Sequence, residues 1–540
     1  MSRAKPRTIR LSCLSLLTLL LVYLPHAHAD SLTLAAIAEA ADRRDASAAV
    51  WSAALASADP AERVQAVRGL GRIGGDSVIP ALLPLLGASD ASVRVEAAFA
   101  LAITASETPT IQDEVEQALL ARLRTEADPA VRAVLLRALG NCGGAATQDR
   151  LRAYFQTTVF QKTVFQTQAS PTPDAEAATL LADERAALAQ AVGLLWSYRR
   201  AALPAIDPEL VQQLLAASTG TEPMAEMAAF ALARARKEPA VQHQATALKK
   251  AFAASQSAGA RIFLLRALSQ TVAADNSKEW LRAQRSNQFA GRVLTGNERI
   301  ELQTVLAGQL QGAALRVAVA GSLRSAVSAE RIAVIQTLLN RPADIEALRD
   351  LLQAQTQLQP ADRVWLAPLL QPPSGAETVS AEGTEPKSAT PAYADAQAAV
   401  GRRFRLLTLR GAIDIVLLPE AVYTAANFAA LADRGFYNNT IFHRVIGNFV
   451  AQGGDPTATG EGGPGWRIRE ELSQLPHAPG YVGMATSGKD SAGSQFFINT
   501  GRNPHLDWHY TVFAKVEAGL PAALALRQGD VLLAVTPLQP

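Results

Sequence analysis

Ile441-Phe442-His443-Arg444-Val445-Ile446-Gly447-Asn448-Phe449-Val450-Ala451-Gln452-Gly453-Gly454-Asp455 is the run on which the reading of the chain turns. Its β-branched and aromatic residues spell strand, and a glycine pair ends it. In an extended conformation Phe442, Arg444 and Ile446 share one face, and His443, Val445 and Gly447 the other. An arginine inside an apolar strand is costly unless it is paired or faces a groove. Taken alone, the run leaves two readings open. Either a buried arginine meets a carboxylate, or a groove presents a guanidinium to a ligand.

Further blocks lie downstream. Gly483-Met484-Ala485 and Gly493-Ser494-Gln495-Phe496-Phe497-Ile498 come first, then Leu506-Asp507-Trp508-His509-Tyr510-Thr511-Val512-Phe513. In this order and at these distances the blocks resemble the cyclophilin family of peptidyl-prolyl isomerases. The resemblance runs from about Arg402 to Pro540, roughly a quarter of the chain. Several blocks in order are far more specific than one short motif. The resemblance implies a closed antiparallel eight-stranded β-barrel capped by two helices. The local text agrees: a hairpin at Arg410-Gly411, a helix from Pro419 to about Asp433 ended by Gly435, a short helix near Leu520 and a last strand near Val531.

Rotation about an Xaa-Pro bond has a barrier of about 18–20 kcal/mol because amide resonance must be broken. No acid, base, nucleophile, metal or cofactor is required. The site must favour the twisted amide, whose pyramidal nitrogen has a free lone pair, over both planar forms. A cation that donates to that nitrogen and an apolar pocket that grips the ring are sufficient. The resemblance implies that Arg444 is the donor and that Phe449, Val450, Phe497 and Leu506 line the proline pocket. It places Gln452 on the substrate carbonyl and beside the arginine, and puts His443, Gln495, Ala485 and Thr486 along the peptide groove. His505 stands where the best-known members carry Trp, and Tyr510 where many carry His. These changes bear on drug sensitivity and affinity, while the isomerising set is intact. The alternative is a non-catalytic scaffold that reads proline segments.

The rest of the chain gives this domain a setting. With 540 residues, two or more domains are expected. Hydrophobic residues at 49% and charged residues at 19% fit globular domains and argue against disorder. Arg3, Lys5, Arg7 and Arg10 precede an apolar run, Leu11 to Leu24, and Ala27-His28-Ala29 is a small-x-small cleavage site. Residues 1–29 therefore read as a signal peptide. This places the mature chain in the periplasm or outside the cell, with no membrane attachment after cleavage; the alternative is a leader retained as a signal anchor. Four of the 51 basic residues leave with the leader, so 47 face 49 acidic ones, a net charge of −2. That is no basic field for nucleic acid. Only Cys142 remains, so no internal disulfide forms.

Residues 30–371 read as an all-α, HEAT-like solenoid. Asp59-Pro60-Ala61-Glu62-Arg63 returns at Asp90 to Arg94 and at Asp128 to Arg132, with Leu70, Leu101 and Leu139 at matching distances. Each Asp is placed to cap a helix. The Arg-to-Leu offset recurs at Arg261 and Arg316. A loop insertion is expected at about 154–175, where Thr-Val-Phe-Gln occurs twice. A Pro/Ser/Ala-rich linker is expected at 372–398, leaving the isomerase-like domain, 399–540, free to move. The partners implied are unfolded or partly folded proline-containing polypeptides in the groove and a protein on the solenoid. His505, Asp507 and His509 alternate, but the turn-like Asp507-Trp508 argues against a metal site.

Overall fold

The structure is a computed structural model that describes residues 31–156, 175–221, 223–271, 279, 282–283, 286–309, 323, 328–339, 362 and 391–539. The leader, nearly all of the expected insertion and most of the expected linker lie outside the described residues.

The repeat in the sequence is a capping and stitching device. Asp59, Asp90 and Asp128 each accept a hydrogen bond from the backbone N–H two residues on, at 2.8 Å. The arginine one turn later folds back on the preceding loop. Arg94 donates to the Ala88 and Ser89 carbonyls, both at 2.9 Å, and Arg132 to those of Glu126 and Ala127 at 3.1 and 2.6 Å. The rest of each guanidinium reaches the next unit: Arg63 to Asp90 at 3.7 Å, Arg94 to Glu126 at 2.9 Å and Arg132 to Glu184 at 2.8 Å. Arg261 repeats the pattern with Glu298.

Among the described residues, eight helices pack side by side into an inner row. They are α1 (Pro60–Ile73), α2 (Ala91–Glu107), α3 (Pro129–Cys142), α4 (Ala175–Tyr198), α5 (Met224–Arg234), α6 (Ala258–Leu268), α7 (Gly296–Gln309) and α8 (Ser328–Leu339). Small residues allow close approach: a Cβ on Gly140 of α3 would lie 2.7 Å from the Ala191 backbone of α4. No helix among the described residues is long and apolar enough to cross a membrane.

The C-terminal domain is an antiparallel sheet of nine strands curled into a half-barrel, where eight closed strands were expected. The strands are β1 (Arg403–Thr408), β2 (Gly411–Leu417), β3 (Thr440–Ile441), β4 (Arg444–Ile446), β5 (Val450–Gly453), β6 (Tyr481–Met484), β7 (Phe496–Asn499), β8 (Val512–Ala518) and β9 (Val531–Leu538). Their order is β3-β9-β1-β2-β8-β6-β7-β5-β4. The extra strand arises because the Ile441 to Ile446 run is broken. Phe442 turns into the core, fully buried beside Phe496, so it does not share a face with Arg444. Helix α10 (Val422–Asp433) covers the core through Phe428, whose ring meets Phe404, Tyr437, Phe496 and Phe513. The second helix, α11 (Leu520–Leu524), is short.

The expected linker ends early. Residues Tyr393–Gln397 form a helix, α9, and Ala396 is fully buried in a cluster with Val422, Tyr423 and Ala38. Composition concealed this, because a few small apolar residues suffice to pack one turn.

The C-terminal domain is docked on the solenoid, against the expectation that it moves freely. Trp508 and Leu472, 4% and 5% exposed, belong to the solenoid's own core cluster. The Trp508 ring meets Phe99 of α2 edge-on at 5.0 Å. Trp508 also has φ +69°, a backbone state costly for a bulky residue and kept only where the surroundings enforce it. Polar contacts surround this anchor. Arg72 donates to the carbonyls of Glu420 (2.6 Å) and Leu472 (3.2 Å), and Gln190 to Asp507 at 3.0 Å. Arg44 pairs with Asp490, and Asp42 with Arg469 at 3.0 Å.

Candidate active site

Strand register settles which way the arginine faces. Arg444 lies opposite Gln452, Gln452 opposite Phe497, and Phe497 opposite Gly483, a row across four strands. Residues directly opposite in a ladder share a face. The neighbouring row, Val445, Ala451, Ile498 and Val482, is buried in the core. Arg444 therefore faces outward. Its partner is neutral: Nη1 donates to Gln452 Oε1 at 3.5 Å, and among the described residues no carboxylate pairs with it. The guanidinium carbon sits 5.6 Å from the Phe449 ring centroid. Burial pushes this guanidinium below its ordinary range. Among the described residues the arginine makes no buried ion pair, which favours the groove reading.

Gln452 and Gln495 form a relay behind the arginine. Gln452 donates to Gln495 Oε1 at 3.0 Å, and Gln495 donates to the carbonyls of Gly460 and Gly462 at 2.8 and 2.9 Å. Asp455 holds that glycine loop by accepting from the N–H groups of Thr457, Gly460 and Gly462. Burial opposes its charge, yet those bonds keep its carboxyl below the usual range.

Val450, Phe497 and Leu506 form a separate apolar cluster beside this relay, with Phe449, Ala485 and Tyr510 packed around it. The Tyr510 ring meets Phe497 edge-on at 5.9 Å. Ala485 is tied to Gln495 by a backbone bond of 2.9 Å, and half-buried Thr486 follows it. His443 stands off the cluster. Neither of its ring nitrogens finds a partner among the described residues, and burial lowers its pKa against the pull of Asp455.

Sequence reasoning missed His477, which is fully buried and stacks on Phe497 at 5.5 Å, backing the pocket wall. Its backbone N–H donates to the Asp507 carboxylate at 2.7 Å. It also missed the setting of His505, whose ring lies between Phe449 at 5.6 Å and Phe230 of α5 at 6.4 Å. No periodicity marks either contact. The alternating trio separates: His505 joins this stack, Asp507 pairs with Arg502 at 2.6 Å, and His509 meets Asn141 at 2.9 Å.

Two regions of the chain are similar to known proteins. Residues 403–540 match the family described as cyclophilin type peptidyl-prolyl cis-trans isomerase/CLD, and residues 48–140 match HEAT repeats. The chain is 50% identical over 123 residues to peptidyl-prolyl cis-trans isomerase B of Bacillus subtilis, covering 22% of this chain and 86% of that protein. It is 48% identical over 121 residues to a peptidyl-prolyl cis-trans isomerase of Helicobacter pylori, covering 22% and 72%. A solved cyclophilin type isomerase of Cryptosporidium parvum aligns at 29% identity over 26% of this chain and 98% of its own, with a TM-score of 0.24. The chain belongs to the cyclophilin-type peptidyl-prolyl cis-trans isomerase family, joined to an N-terminal region of HEAT repeats.

Proposed function

We propose that the chain isomerises Xaa-Pro bonds of exported, unfolded or partly folded polypeptides. In this reading Arg444 donates to the prolyl nitrogen as the amide twists. Phe449, Val450, Phe497 and Leu506 grip the pyrrolidine ring, and Gln452 holds both the arginine and the substrate carbonyl. The row Arg444–Gln452–Phe497, with a cation at the edge of an apolar cluster, carries the proposal. A guanidinium aimed at a lone pair that exists only in the twisted state lowers the barrier without tightening the ground state. Each tenfold in rate requires about 1.4 kcal/mol of such preference. His443, Ala485, Thr486, Gln495, His505 and Tyr510 line the peptide path.

The sheet closes into a barrel in this reading, supported by the isolated bridge that ties Ile441 of the end strand β3 to Asp455, just past β5, the strand next to the other end. Residues 1–29 act as a leader, and the mature protein works in the periplasm or outside the cell. The HEAT-like region binds protein, and its inner face already holds the chain's own isomerase domain.

The test is isomerisation of a short Ala-Pro peptide by the full chain and by Arg444→Ala. A drop of about 10²–10³ in kcat/KM is expected, as for loss of one transition-state donor. Equal rates would overturn the role of Arg444. Peptide binding without turnover in either protein would make the groove a reader of proline segments. For location, the N-terminus in cell fractions should be Asp30; a cytoplasmic pool with an intact leader would refute export.

A further inference from the structure

The solenoid adds a wall to the groove on the side of His505. Beyond the stacked Phe230 ring, three arginines gather: Arg234 at the end of α5, Arg236 two residues on, and Arg266 in the last turn of α6. Arg234 feels the charges of Arg236 and Arg266, and His505 feels those of Arg234 and Arg266. Arg266 is neutralised, with bonds of 2.9 and 3.0 Å to Glu301. It also donates to the Asn448 carbonyl at 3.1 Å, in the turn that connects Arg444's strand to Phe449.

Arg234 and Arg236 differ. Among the described residues neither has a carboxylate at ion-pair distance. The Nε of Arg234 is buried with no acceptor, and the one side-chain bond of Arg236 goes to the Ala233 carbonyl at 2.9 Å. Half-buried guanidiniums without a counter-charge are costly. Burial and the neighbouring guanidiniums hold both below the usual arginine range, against the pull on Arg236 of Glu301, which is already bonded to Arg266. A site that receives an anion relieves that cost, and the planar fork of arginine matches a carboxylate.

We propose that Arg234 and Arg236 form a subsite for an acidic side chain of the polypeptide whose proline sits against Phe449. The inference rests on the isomerase reading of the groove. The Phe449–His505–Phe230 stack spans two ring spacings, 5.6 and 6.4 Å. An extended chain covers that in about three or four residues at ~3.3 Å each. The solenoid would thus select among proline segments by charge.

The experiment uses the full chain and three peptides identical except for Glu, Gln or Lys four residues from the proline, made in both directions. Exchange NMR gives kcat/KM for each. In one direction the Glu peptide should exceed the Lys peptide by about tenfold, a gap that narrows as salt rises. In Arg234→Gln/Arg236→Gln that ratio should fall to about one, with thermal unfolding unchanged as the folding control. A ratio of one in the unaltered protein in both directions, or one that persists in the variant, overturns the proposal while leaving the isomerase reading intact. Absence of turnover with every peptide defeats the isomerase reading instead. Fluorescence anisotropy with the same peptides then decides the subsite, since equal affinities for Glu and Lys peptides would refute it.

Discussion

Gly483→Ala tests whether the pocket wall is held in place by packing. A Cβ at residue 483 would lie 2.4 Å from Cζ and 2.8 Å from Cε2 of Phe497, and 3.0 Å from Cε1 of His477. To restore ordinary contact near 3.5 Å the phenyl ring must shift by about 1 Å. It has little room, because His477 stacks on it at 5.5 Å and Tyr510 meets it at 5.9 Å. The free direction is into the space proposed for the pyrrolidine ring. Overpacking of this kind costs about 1–3 kcal/mol of stability. A misplacement of about 1 Å at a reacting centre costs on the order of 10²-fold in rate. The assay is isomerisation of the Ala-Pro peptide by the full chain, alongside thermal unfolding. A fall in kcat/KM of ten- to a hundredfold, far larger than the modest drop in Tm implies, is expected on that basis. Unchanged kcat/KM in a folded variant would refute the idea that Phe497 is fixed by its neighbours.

Three further outcomes follow from the packing. Trp508→Ala removes the anchor in the solenoid core and should cost about 3–5 kcal/mol of docking; limited proteolysis between the two regions should accelerate, and an unchanged cleavage rate would count against the anchor. Glu126→Gln leaves Arg94 and Arg122 facing a neutral amide where Glu126, its side chain 2% exposed, now binds both, and should cost about 3–5 kcal/mol; hydrogen exchange over residues 91–142 reads it, and unaltered protection would exclude stitching by this pair. Burial pushes His477, His505 and His509 down to about 4, 3 and 4. The unfolded chain then takes up these protons first, so their stabilisation is full above about 6.5 and declines as pH falls toward 4. Glu470, raised to about 7 by burial, opposes this across the whole window but is one group against three. Tm should fall from pH 7 to pH 4.5, and a flat profile would contradict the buried neutral histidines.

What could be read from the residues was what depends on near neighbours. Asp59, Asp90 and Asp128 are caps because a cap acts within two residues, and the β1–β2 hairpin was legible because its Arg410-Gly411 turn is local, whereas the Ile441 to Asp455 run, read as one strand, folds back on itself as β4 and β5. The family blocks located Phe497 and Leu506, though only strand register showed that Arg444 and Phe497 share a row. Phe442 was misread because alternation assumes an unbroken strand. The position of His505 against Phe230 was invisible, since it depends on docking two regions more than 270 residues apart in sequence. Linker composition pointed away from that docking, and the turn of helix at Tyr393–Gln397 is too short to leave a periodic mark.

The solenoid's occupied inner face has a consequence for any outside ligand. A tethered domain competes for its own docking surface at an effective concentration in the mM range. A free protein present at about 1 μM must therefore bind that face roughly a thousandfold more tightly than the isomerase domain does to displace it half the time. Under the proposed function, a partner of ordinary affinity would be left the outer helices and the groove rim, and would bind without dislodging the docked domain.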